Sequence, residues 1–260
     1  MSPTMDGKVV TLFVLLVIAL VAGFPDKLKI TNGTDANDGE YPWIVSMRYR
    51  NCHNCGASIL SEKWILTAAH CVYPNSLSLA NILYGTVNSS NCLPVPDKTI
   101  PVKRAIVHED YQVNDGYPIN DIALLELEGN IPMSDNVQPV QLPMQNKMPE
   151  ETDEAMLAGW GYQQVNGVVM PVLQQVQLTI YPDEICTKYH GANYSAPYQI
   201  CAGADGEWKG QCSGDSGGPL TVDGTQYGIV SWSEKPCAIM PGVLTRVANY
   251  REWIRKYTGV

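Results

Sequence analysis

Short runs of β-branched and aromatic residues, broken by Gly, Pro, Asn and Asp, recur along most of this 260-residue chain. Such runs are typical of β-strands, and many of them in one chain indicate an antiparallel sandwich or barrel. We expect strands at 43–49, 82–87, 100–107, 122–127, 173–180 and 227–232. Near the end, Val247, Tyr250, Ile254 and Tyr257 recur at helical spacing. The sequence therefore predicts an all-β fold with one C-terminal helix.

The amino-terminal segment has the composition of a secretory signal peptide. A polar start that contains Lys8 is followed by the apolar run 9–22 and by small residues at 21–23, which is the pattern of a cleaved export signal. The apolar run is shorter than the roughly 20 residues that cross a bilayer as a helix. We therefore expect residues 1–23 to be removed and the mature protein to be secreted, with no membrane partner.

The chain contains eight cysteines, and an oxidising compartment makes disulfide bonds their expected use. The stretch Cys52-His53-Asn54-Cys55 raises zinc binding as an alternative, but no second Cys/His pair follows at finger spacing. Spacing alone does not select one pairing among eight cysteines. We predict disulfides and no metal site, with the pairing open at this point.

The charge balance and three sequence triplets bear on partners and modification. The net charge of −9 disfavours nucleic-acid binding, because phosphates repel an acidic surface. Solubility of a secreted protein is the simpler explanation of that charge. Asn32, Asn88 and Asn193 each begin an Asn-X-Ser/Thr triplet and are predicted glycosylation sites.

Four glycines within residues 210–218 surround Ser216 and its neighbour Asp215. Glycine permits tight turns and the close approach of another chain, so backbone amides are expected to face a ligand here. A serine hydroxyl becomes nucleophilic when a histidine removes its proton and a buried carboxylate orients that histidine. His70 ends an apolar stretch, and Asp121 precedes an apolar run. These two are the expected partners of Ser216.

The other three histidines are weaker candidates for the base. His53 lies in a polar stretch and is expected in a loop, His108 precedes two acidic residues and is expected to face solvent, and His190 is expected in a Gly/Asn turn. Taken alone, a buried histidine or a carboxylate at a strand edge is more often structural than catalytic. The combination of His, Asp and Ser favours catalysis.

Several motifs resemble the signatures of the chymotrypsin-like serine peptidases: TAAHC at 67–71, DIALL at 121–125, GDSGGP at 214–219, AGWG at 158–161 and SWS at 231–233. The resemblance covers residues 30–260. It implies two six-stranded antiparallel β-barrels with the active site between them. It also implies a catalytic triad of His70, Asp121 and Ser216, and an oxyanion hole formed by the backbone amides of Gly214 and Ser216.

The resemblance further implies how the chain matures. Residues 24–29 would be a propeptide cleaved after Lys29, and the freed amino group of Ile30 would turn inward to pair with Asp215. The family pattern IVGG reads ITNG at 30–33. A glycan on Asn32 would crowd this segment, so the departure bears on how readily the chain matures.

Three disulfides are implied by the family: Cys55 with Cys71, Cys186 with Cys201, and Cys212 with Cys237. Cys52 and Cys92 remain. The loops that carry them are expected to be neighbours on the leaving-group side of the cleft. We therefore predict a fourth bond between them, with free or intermolecular thiols as the alternative.

The resemblance also assigns the pocket for the residue before the scissile bond. Its implied residues are Gly210 at the floor, Gln211 beside it, and Ser231, Trp232, Ser233 and Gly242 at the walls. Neither Gly210 nor Gly242 carries a charge, so we expect cleavage after large apolar residues rather than Arg or Lys. Gln211 and Ser233 are larger than the residues usual at their positions, which raises an elastase-like preference for smaller side chains as the alternative.

The sequence thus predicts a secreted serine endopeptidase that needs no cofactor. Its expected partners are protein or peptide substrates, an activating protease and protein protease inhibitors, and the chain is expected to be a monomer. A catalytically idle family member that acts as a binding protein is the competing hypothesis, which the intact His70, Asp121 and Ser216 disfavour.

Overall fold

The structure is a computed structural model that describes residues 33–73, 77–149, 153–163, 166–204 and 206–260. The predicted signal peptide 1–23, the predicted propeptide 24–29 with its cleavage site at Lys29 and Ile30, and the triplet at Asn32 lie outside the described residues. Within the described ranges, no helix is long and apolar enough to cross a membrane.

Fifteen strands and two α-helices make up the described part of the chain. The strands are β1 Thr34–Asp35, β2 Ile44–Tyr49, β3 Cys52–Ile59, β4 Trp64–Thr67, β5 Ala80–Leu83, β6 Thr99–Val107, β7 Gln112–Asn114, β8 Tyr117–Ile119, β9 Ala123–Leu127, β10 Glu154–Gly159, β11 Gln174–Tyr181, β12 Gln199–Gly203, β13 Pro219–Val222, β14 Thr225–Trp232 and β15 Gly242–Arg246. The helices are α1 Asp183–His190 and α2 Arg251–Thr258, and 3₁₀ turns lie at Ala69–Cys71, Ser90–Cys92, Pro96–Lys98, Gly191–Asn193 and Val247–Tyr250.

The amino-terminal half forms a closed antiparallel barrel in the order β2-β3-β4-β9-β6-β5. Strand β9 is buried along its whole length, because its two neighbours β4 and β6 cover its edges and its apolar side chains belong to the core cluster of the first barrel. Ile65, Leu66, Leu124 and Leu125 are fully buried there. This continuous apolar run brings Asp121, two residues before the strand, into the interior.

The carboxyl-terminal half forms a sheet in the order β11-β10-β13-β14-β15-β12, which a further pairing of β11 with β12 closes into a second six-stranded barrel. Along β11, Val176, Leu178 and Ile180 are buried while Gln177 and Thr179 are exposed. This alternation places one face of the strand in the barrel core and the other in water. Strand β1 pairs with the first two residues of β11, Gln174 and Gln175.

The predicted fold of two six-stranded barrels with a C-terminal helix is confirmed. The helix α2 begins at Arg251, after the 3₁₀ turn Val247–Tyr250. Val247, Tyr250 and Ile254 belong to the core cluster of the first barrel. The end of the chain therefore crosses back from the second barrel and packs on the first.

Helix α1 is the main element that the strand pattern did not predict. It has acidic residues Asp183 and Glu184 in its first turn, where they oppose the helix dipole favourably. Its Cys186 is disulfide-bonded to Cys201. The helix ends on His190, which is buried, so the expectation of a Gly/Asn turn at His190 is wrong: the turn begins one residue later, at Gly191.

Candidate active site

His70 lies in the 3₁₀ turn Ala69–Cys71, which follows directly on strand β4. Within the apolar stretch that His70 ends, the strand covers Trp64–Thr67 and stops three residues before the histidine. The disulfide between Cys55 and Cys71 ties this turn to strand β3. His70 is therefore held at the end of the first barrel, with its side chain 29% exposed.

Asp121 is the buried carboxylate that orients this histidine. Its Oδ2 lies 2.7 Å from His70 Nδ1, and its Oδ1 accepts a hydrogen bond from the His70 backbone N–H at 2.9 Å. Ser231 of the second barrel donates its hydroxyl to Oδ2 at 2.6 Å. A carboxylate that is only 1% exposed needs such donors, because an unpaired buried charge is costly.

The Asp121 carboxylate also sets the protonation of His70. Burial lowers the pKa of the imidazole, but the charge of Asp121 and the hydrogen bond to it outweigh burial, so the pKa of His70 is raised above its usual 6.5. A carboxylate accepts hydrogen bonds only, so Nδ1 carries a proton. In the neutral ring Nε2 is then the basic nitrogen, and it is the one turned away from Asp121.

Ser216 sits in a turn of the second barrel that packs against the first. The Ser216 carbonyl accepts the N–H of Gly56 at 2.8 Å, and Gly217 N–H donates to Val230 at 2.8 Å. A Cβ on Gly217 would lie 2.2 Å from the hydroxyl of Thr67, three residues before His70. Only glycine lets this turn lie so close to the His70 segment, and its φ of +79° also favours glycine.

The structure brings Ser216 to the His70 side of the cleft without joining their side chains. No hydrogen bond links Ser216 Oγ to His70 Nε2, and Nε2 lies 3.8 Å from the disulfide sulfur of Cys71. Catalytic hydrogen bonds of serine hydroxyls are often long without substrate and tighten when the substrate binds. Of the three residues predicted to form the triad, the structure therefore joins His70 and Asp121 by hydrogen bonds, and it does not join Ser216 to them.

The peptide between Ser213 and Gly214 carries one of the two predicted oxyanion donors, and a backbone contact fixes its orientation. The Ser213 carbonyl accepts the Tyr162 N–H at 2.7 Å, and the N–H of Gly214 points the opposite way because a trans peptide is planar. Gly214 has a φ of +96°, which L-residues with a side chain rarely adopt. In the described part of the chain, neither the Gly214 nor the Ser216 amide donates a hydrogen bond, so both are available to a ligand.

His53 supports this turn, although its sequence suggested a polar loop. It belongs to strand β3, so that expectation is wrong. Its Nε2 donates to the Gly214 carbonyl at 2.8 Å, and its Nδ1 accepts from the buried Ser46 hydroxyl at 2.7 Å. Burial lowers the pKa of His53 to about 4, so the ring is neutral at physiological pH and keeps one donor and one acceptor.

Asp215 is a buried carboxylate next to Ser216 in the sequence. It accepts hydrogen bonds from the backbone N–H groups of Gly161 at 2.8 Å and Cys212 at 2.9 Å. A Cβ on Gly161 would lie 2.3 Å from the carboxyl carbon, so a larger residue is excluded there. Burial raises the pKa of Asp215 to about 7, although the two backbone hydrogen bonds lower it.

The structure gathers the predicted pocket residues around one side chain, Gln211. Gln211 is 4% exposed, and its amide nitrogen donates to the Trp232 carbonyl at 2.8 Å. Gly242 faces the same amide, since a Cβ there would lie 2.4 Å from Gln211 Cδ. Gly210 precedes Gln211, and Ser231 and Ser233 flank Trp232. Ser231 thus has a second role, as the donor to Asp121.

The predicted pocket residue Trp232 and its neighbour Glu234 contact the hairpin of strands β7 and β8, which belongs to neither barrel. The Tyr117 hydroxyl of strand β8 donates to Glu234 Oε1 at 2.9 Å, and the Tyr117 ring packs edge-on against Trp232 at 4.6 Å. The hairpin of β7 and β8 leads through Asn120 into Asp121. Glu234 therefore has a structural partner, in addition to being a negative charge at the rim.

Four disulfides are present, and all eight cysteines are paired. They join Cys52 to Cys92, Cys55 to Cys71, Cys186 to Cys201 and Cys212 to Cys237. The sulfurs of Cys55 and Cys71 lie within 4.8 Å of a ring nitrogen of His70, but they are bonded to each other and are not thiolate ligands. The side chain of Cys52 is used in a disulfide, so the zinc alternative at 52–55 loses its ligands.

Arg48 reinforces the link between the start of strand β3, which carries Cys52, and the 3₁₀ turn that carries Cys92. Its Nε donates to the Asn51 carbonyl and its Nη2 to the Leu93 carbonyl, both at 2.6 Å. The residue is fully buried, and burial lowers the pKa of its guanidinium. One buried arginine and one disulfide therefore hold the wall beside His53.

The remaining predicted residues have simple environments. The His108 ring, expected to face solvent, is half-buried and packs on Tyr250 at 5.3 Å and on Trp253 at 5.1 Å. Asn88 and Asn193 are exposed, as attachment of a glycan requires.

The chain matches known proteins over nearly its whole length. The trypsin family model matches residues 30–254. The chain is 36% identical over 236 residues to a trypsin of Phaedon cochleariae, covering 90% of each protein. It is 40% identical over 230 residues to chymotrypsin-2 of Vespa crabro, covering 87% of this chain and 99% of that protein.

Solved structures show the same likeness. Neuropsin, a serine protease expressed in the limbic system of mouse brain, superposes with a TM-score of 0.78 at 28% identity, over 86% of this chain and 98% of its own. Human heparin binding protein gives a TM-score of 0.77 at 26% identity, over 88% and 96%. The chain therefore belongs to the trypsin family of chymotrypsin-like serine peptidases, and it is a serine endopeptidase.

Proposed function

We propose that this chain is a secreted endopeptidase that cleaves after uncharged residues through an acyl-enzyme on Ser216. The observation that carries the proposal is the His70–Asp121 pair, which occupies Nδ1 and leaves His70 Nε2 as the basic nitrogen of the neutral ring. The substrates are proteins or peptides. Protein protease inhibitors that present such a peptide are further expected partners, and the working form is expected to be a monomer.

The chemistry follows from these positions. Ser216 Oγ attacks the carbonyl carbon of the scissile bond while His70 Nε2 takes the hydroxyl proton. The resulting imidazolium is stabilised by the adjacent Asp121 carboxylate. His70 then gives the proton to the leaving amine, the C–N bond breaks, and an ester to Ser216 remains. Water, deprotonated by His70, hydrolyses this ester and restores the Ser216 hydroxyl.

The negative charge that develops on the carbonyl oxygen needs donors already in place. The amides of Gly214 and Ser216 supply them, because the Gly214 peptide is fixed by the contacts of Ser213 with Tyr162 and of Gly214 with His53. Preorganised donors at this point are worth about 2.7–4 kcal/mol each in the transition state.

The charge of the pocket supports selection against basic residues. Gly210 and Gly242 carry no carboxylate, and the polar group buried against Gly242 is the neutral amide of Gln211. A guanidinium or ammonium that enters this site leaves water without gaining an ion pair. Arg and Lys before the scissile bond are therefore disfavoured, and uncharged side chains are favoured.

We further propose that cleavage after Lys29 by another protease activates the chain. Asp215 supports this step, because a buried carboxylate whose pKa is raised to about 7 gains from a new positive partner. The amino group of Ile30 is that partner, and the pair would hold the turn that carries Gly214 and Ser216. The signal peptide at 1–23 and glycosylation at Asn32, Asn88 and Asn193 complete the proposed secretory route.

The test uses full-length protein processed at Ile30. A fluorophosphonate probe should label one serine stoichiometrically, and Ser216→Ala should abolish both the labelling and the hydrolysis of a peptide substrate. Unprocessed protein should react far more slowly. Absence of labelling in processed protein would overturn the proposed mechanism, and faster hydrolysis after Arg than after every uncharged residue would overturn the pocket assignment.

A further inference from the structure

We infer that Gln211 fills the deep part of the primary pocket and limits the enzyme to short side chains before the scissile bond, such as those of Ala, Thr and Val. The inference rests on the proposed function, since it concerns the same pocket. It replaces the sequence-based expectation of large apolar side chains, and it makes one residue responsible for the difference.

The first observation is that the Gln211 side chain is anchored inside the protein. Its Nε2 donates to the Trp232 carbonyl at 2.8 Å and approaches the Val243 carbonyl at 3.5 Å. These acceptors lie on two different strands, β14 and β15. The side chain therefore reaches across from the segment before Ser216 to both strands of the opposite wall, and it is almost fully buried in doing so.

The second observation is the contact with Gly242. A Cβ at this position would lie 2.4 Å from Gln211 Cδ and 2.6 Å from Oε1, closer than real contacts allow. Gly242 has no positive φ, so its backbone would accept other residues. The lack of a side chain at Gly242 is thus explained by the amide of Gln211, which occupies the space that the side chain would need.

The two observations have one consequence for substrates. A Phe, Tyr or Leu side chain that entered to full depth would have to push the Gln211 amide off the Trp232 carbonyl. That displacement leaves a buried donor and a buried acceptor unpaired, which is more costly than never forming the bond. Short side chains reach their positions in the upper pocket without disturbing the amide.

The test compares otherwise identical peptide anilides with Ala, Val, Leu, Phe or Arg before the scissile bond, on chain processed at Ile30. Wild-type kcat/KM should be highest for Ala or Val and lowest for Phe and Arg. In Gln211→Ser the ratio of kcat/KM for Phe to that for Ala should rise by about tenfold or more, as expected when a pocket gains the volume of several methylenes. Gln177→Ser, on the exposed side of β11, is the matched control and should leave the ratio unchanged.

A double-mutant comparison tests the contact itself. Gly242→Ala alone should lower kcat/KM for every substrate, because the added methyl group pushes the Gln211 amide into the pocket. In the Gln211→Ser background the same change should be far milder. Additive effects of Gly242→Ala and Gln211→Ser on kcat/KM would contradict a shared space for the two side chains.

Fluorophosphonate titration separates this inference from the proposed function. Protein that labels at Ser216 yet prefers Phe over Ala, or whose preference is unchanged in Gln211→Ser, overturns the inference and leaves the endopeptidase assignment intact. Protein that does not label overturns the proposed function. If a variant fails to fold, the wild-type kcat/KM values for the Ala and Phe substrates still decide the inference.

Discussion

At the scale of single residues, Asp121 receives more of the site's hydrogen bonds than any other side chain described above. Three donors reach it, two from His70 and one from Ser231. The first two come from one barrel and the third from the other. The carboxylate therefore orients the imidazole. Its full set of hydrogen bonds also forms only when the two barrels are packed correctly against each other.

Replacing Asp121 by Asn should reduce kcat by about 10⁴ with the fold retained, because an amide can donate to Nδ1's position and favours the wrong tautomer. The pKa of His70 is raised by the Asp121 charge, so kcat/KM in the wild type should fall with decreasing pH through a pKa above 6.5. In Asp121→Asn the pKa of His70 should be lower, so the fall in residual kcat/KM with decreasing pH should occur at a lower pH than in the wild type. An unchanged pH profile would show that Asp121 does not set the ionisation of His70.

His53 yields a second prediction at this scale. His53→Ala removes the donor to the Gly214 carbonyl, so the oxyanion amide is held less firmly. We expect kcat to fall roughly tenfold, less than the 10²–10³ typical for losing an oxyanion donor itself, with KM nearly unchanged. Ser46→Ala, which removes only the partner of Nδ1, should give a smaller change in the same direction. A rise in KM with kcat unaffected would place His53 in substrate binding instead.

Sequence motifs identified His70, Asp121 and Ser216 because each lies in a short, distinctive stretch. His53 was not identified, since its importance depends on a carbonyl 161 residues away and no local pattern signals that contact. The sequence identified Gln211 as unusual for its position, but it did not predict in which direction the Gln211 side chain points. Whether a glutamine points into a pocket or along its wall is decided by acceptors on distant strands, here Trp232 and Val243.

At the scale of elements, the alternation along β11 and the unbroken apolar run of β9 explain why strands were predictable. Both sequence patterns arise because apolar residues occupy the strand faces that are buried. Helix α1 was missed because only Cys186 and His190 of its eight residues are buried, too few to mark a stripe. The expected strand at 82–87 begins earlier, at Ala80, and ends at Leu83, since Gly85 with a φ of +62° turns the chain away from the barrel.

The Cys52–Cys92 disulfide, which ties the start of β3 to the 3₁₀ turn Ser90–Cys92, gives a prediction at the scale of elements. The two cysteines are 40 residues apart in sequence, so removing the bond should lower the free energy of unfolding by about 2–4 kcal/mol. The measurement is denaturant unfolding of Cys52→Ser/Cys92→Ser in a Ser216→Ala background, which prevents self-digestion. Ser216→Ala alone is the reference. An unchanged midpoint would mean that Arg48 holds these loops without the disulfide.

At the scale of the whole molecule, Asp215 links stability to pH. Its pKa is raised from 3.8 to about 7 in the folded chain, so between these values the folded state holds a proton that the unfolded state has released. The stability contributed by this group is therefore present at low pH and is lost as pH rises toward 7. In the unprocessed chain, Asp215→Asn should remove this part of the pH dependence.

The experiment compares unfolding midpoints of the unprocessed wild type and of Asp215→Asn between pH 4 and pH 8, both in the Ser216→Ala background. The difference in stability should grow in favour of the variant as the pH rises through this window. Processing at Ile30 should reverse the sign, because the wild-type carboxylate then has an ammonium partner that an amide cannot replace. Parallel curves before processing would contradict the raised pKa.

The first barrel contributes His70 and Asp121 and the second contributes Ser216, which has a consequence for the order in which the site is assembled during synthesis. The first half to leave the ribosome carries the imidazole and its carboxylate but no alcohol to activate, and the second half brings the alcohol only when it closes against its neighbour. A chain in which only the first barrel has folded therefore lacks a complete site, before any propeptide is considered. The proposed hydrolytic activity therefore appears only at the last step of folding, when the two barrels have packed together.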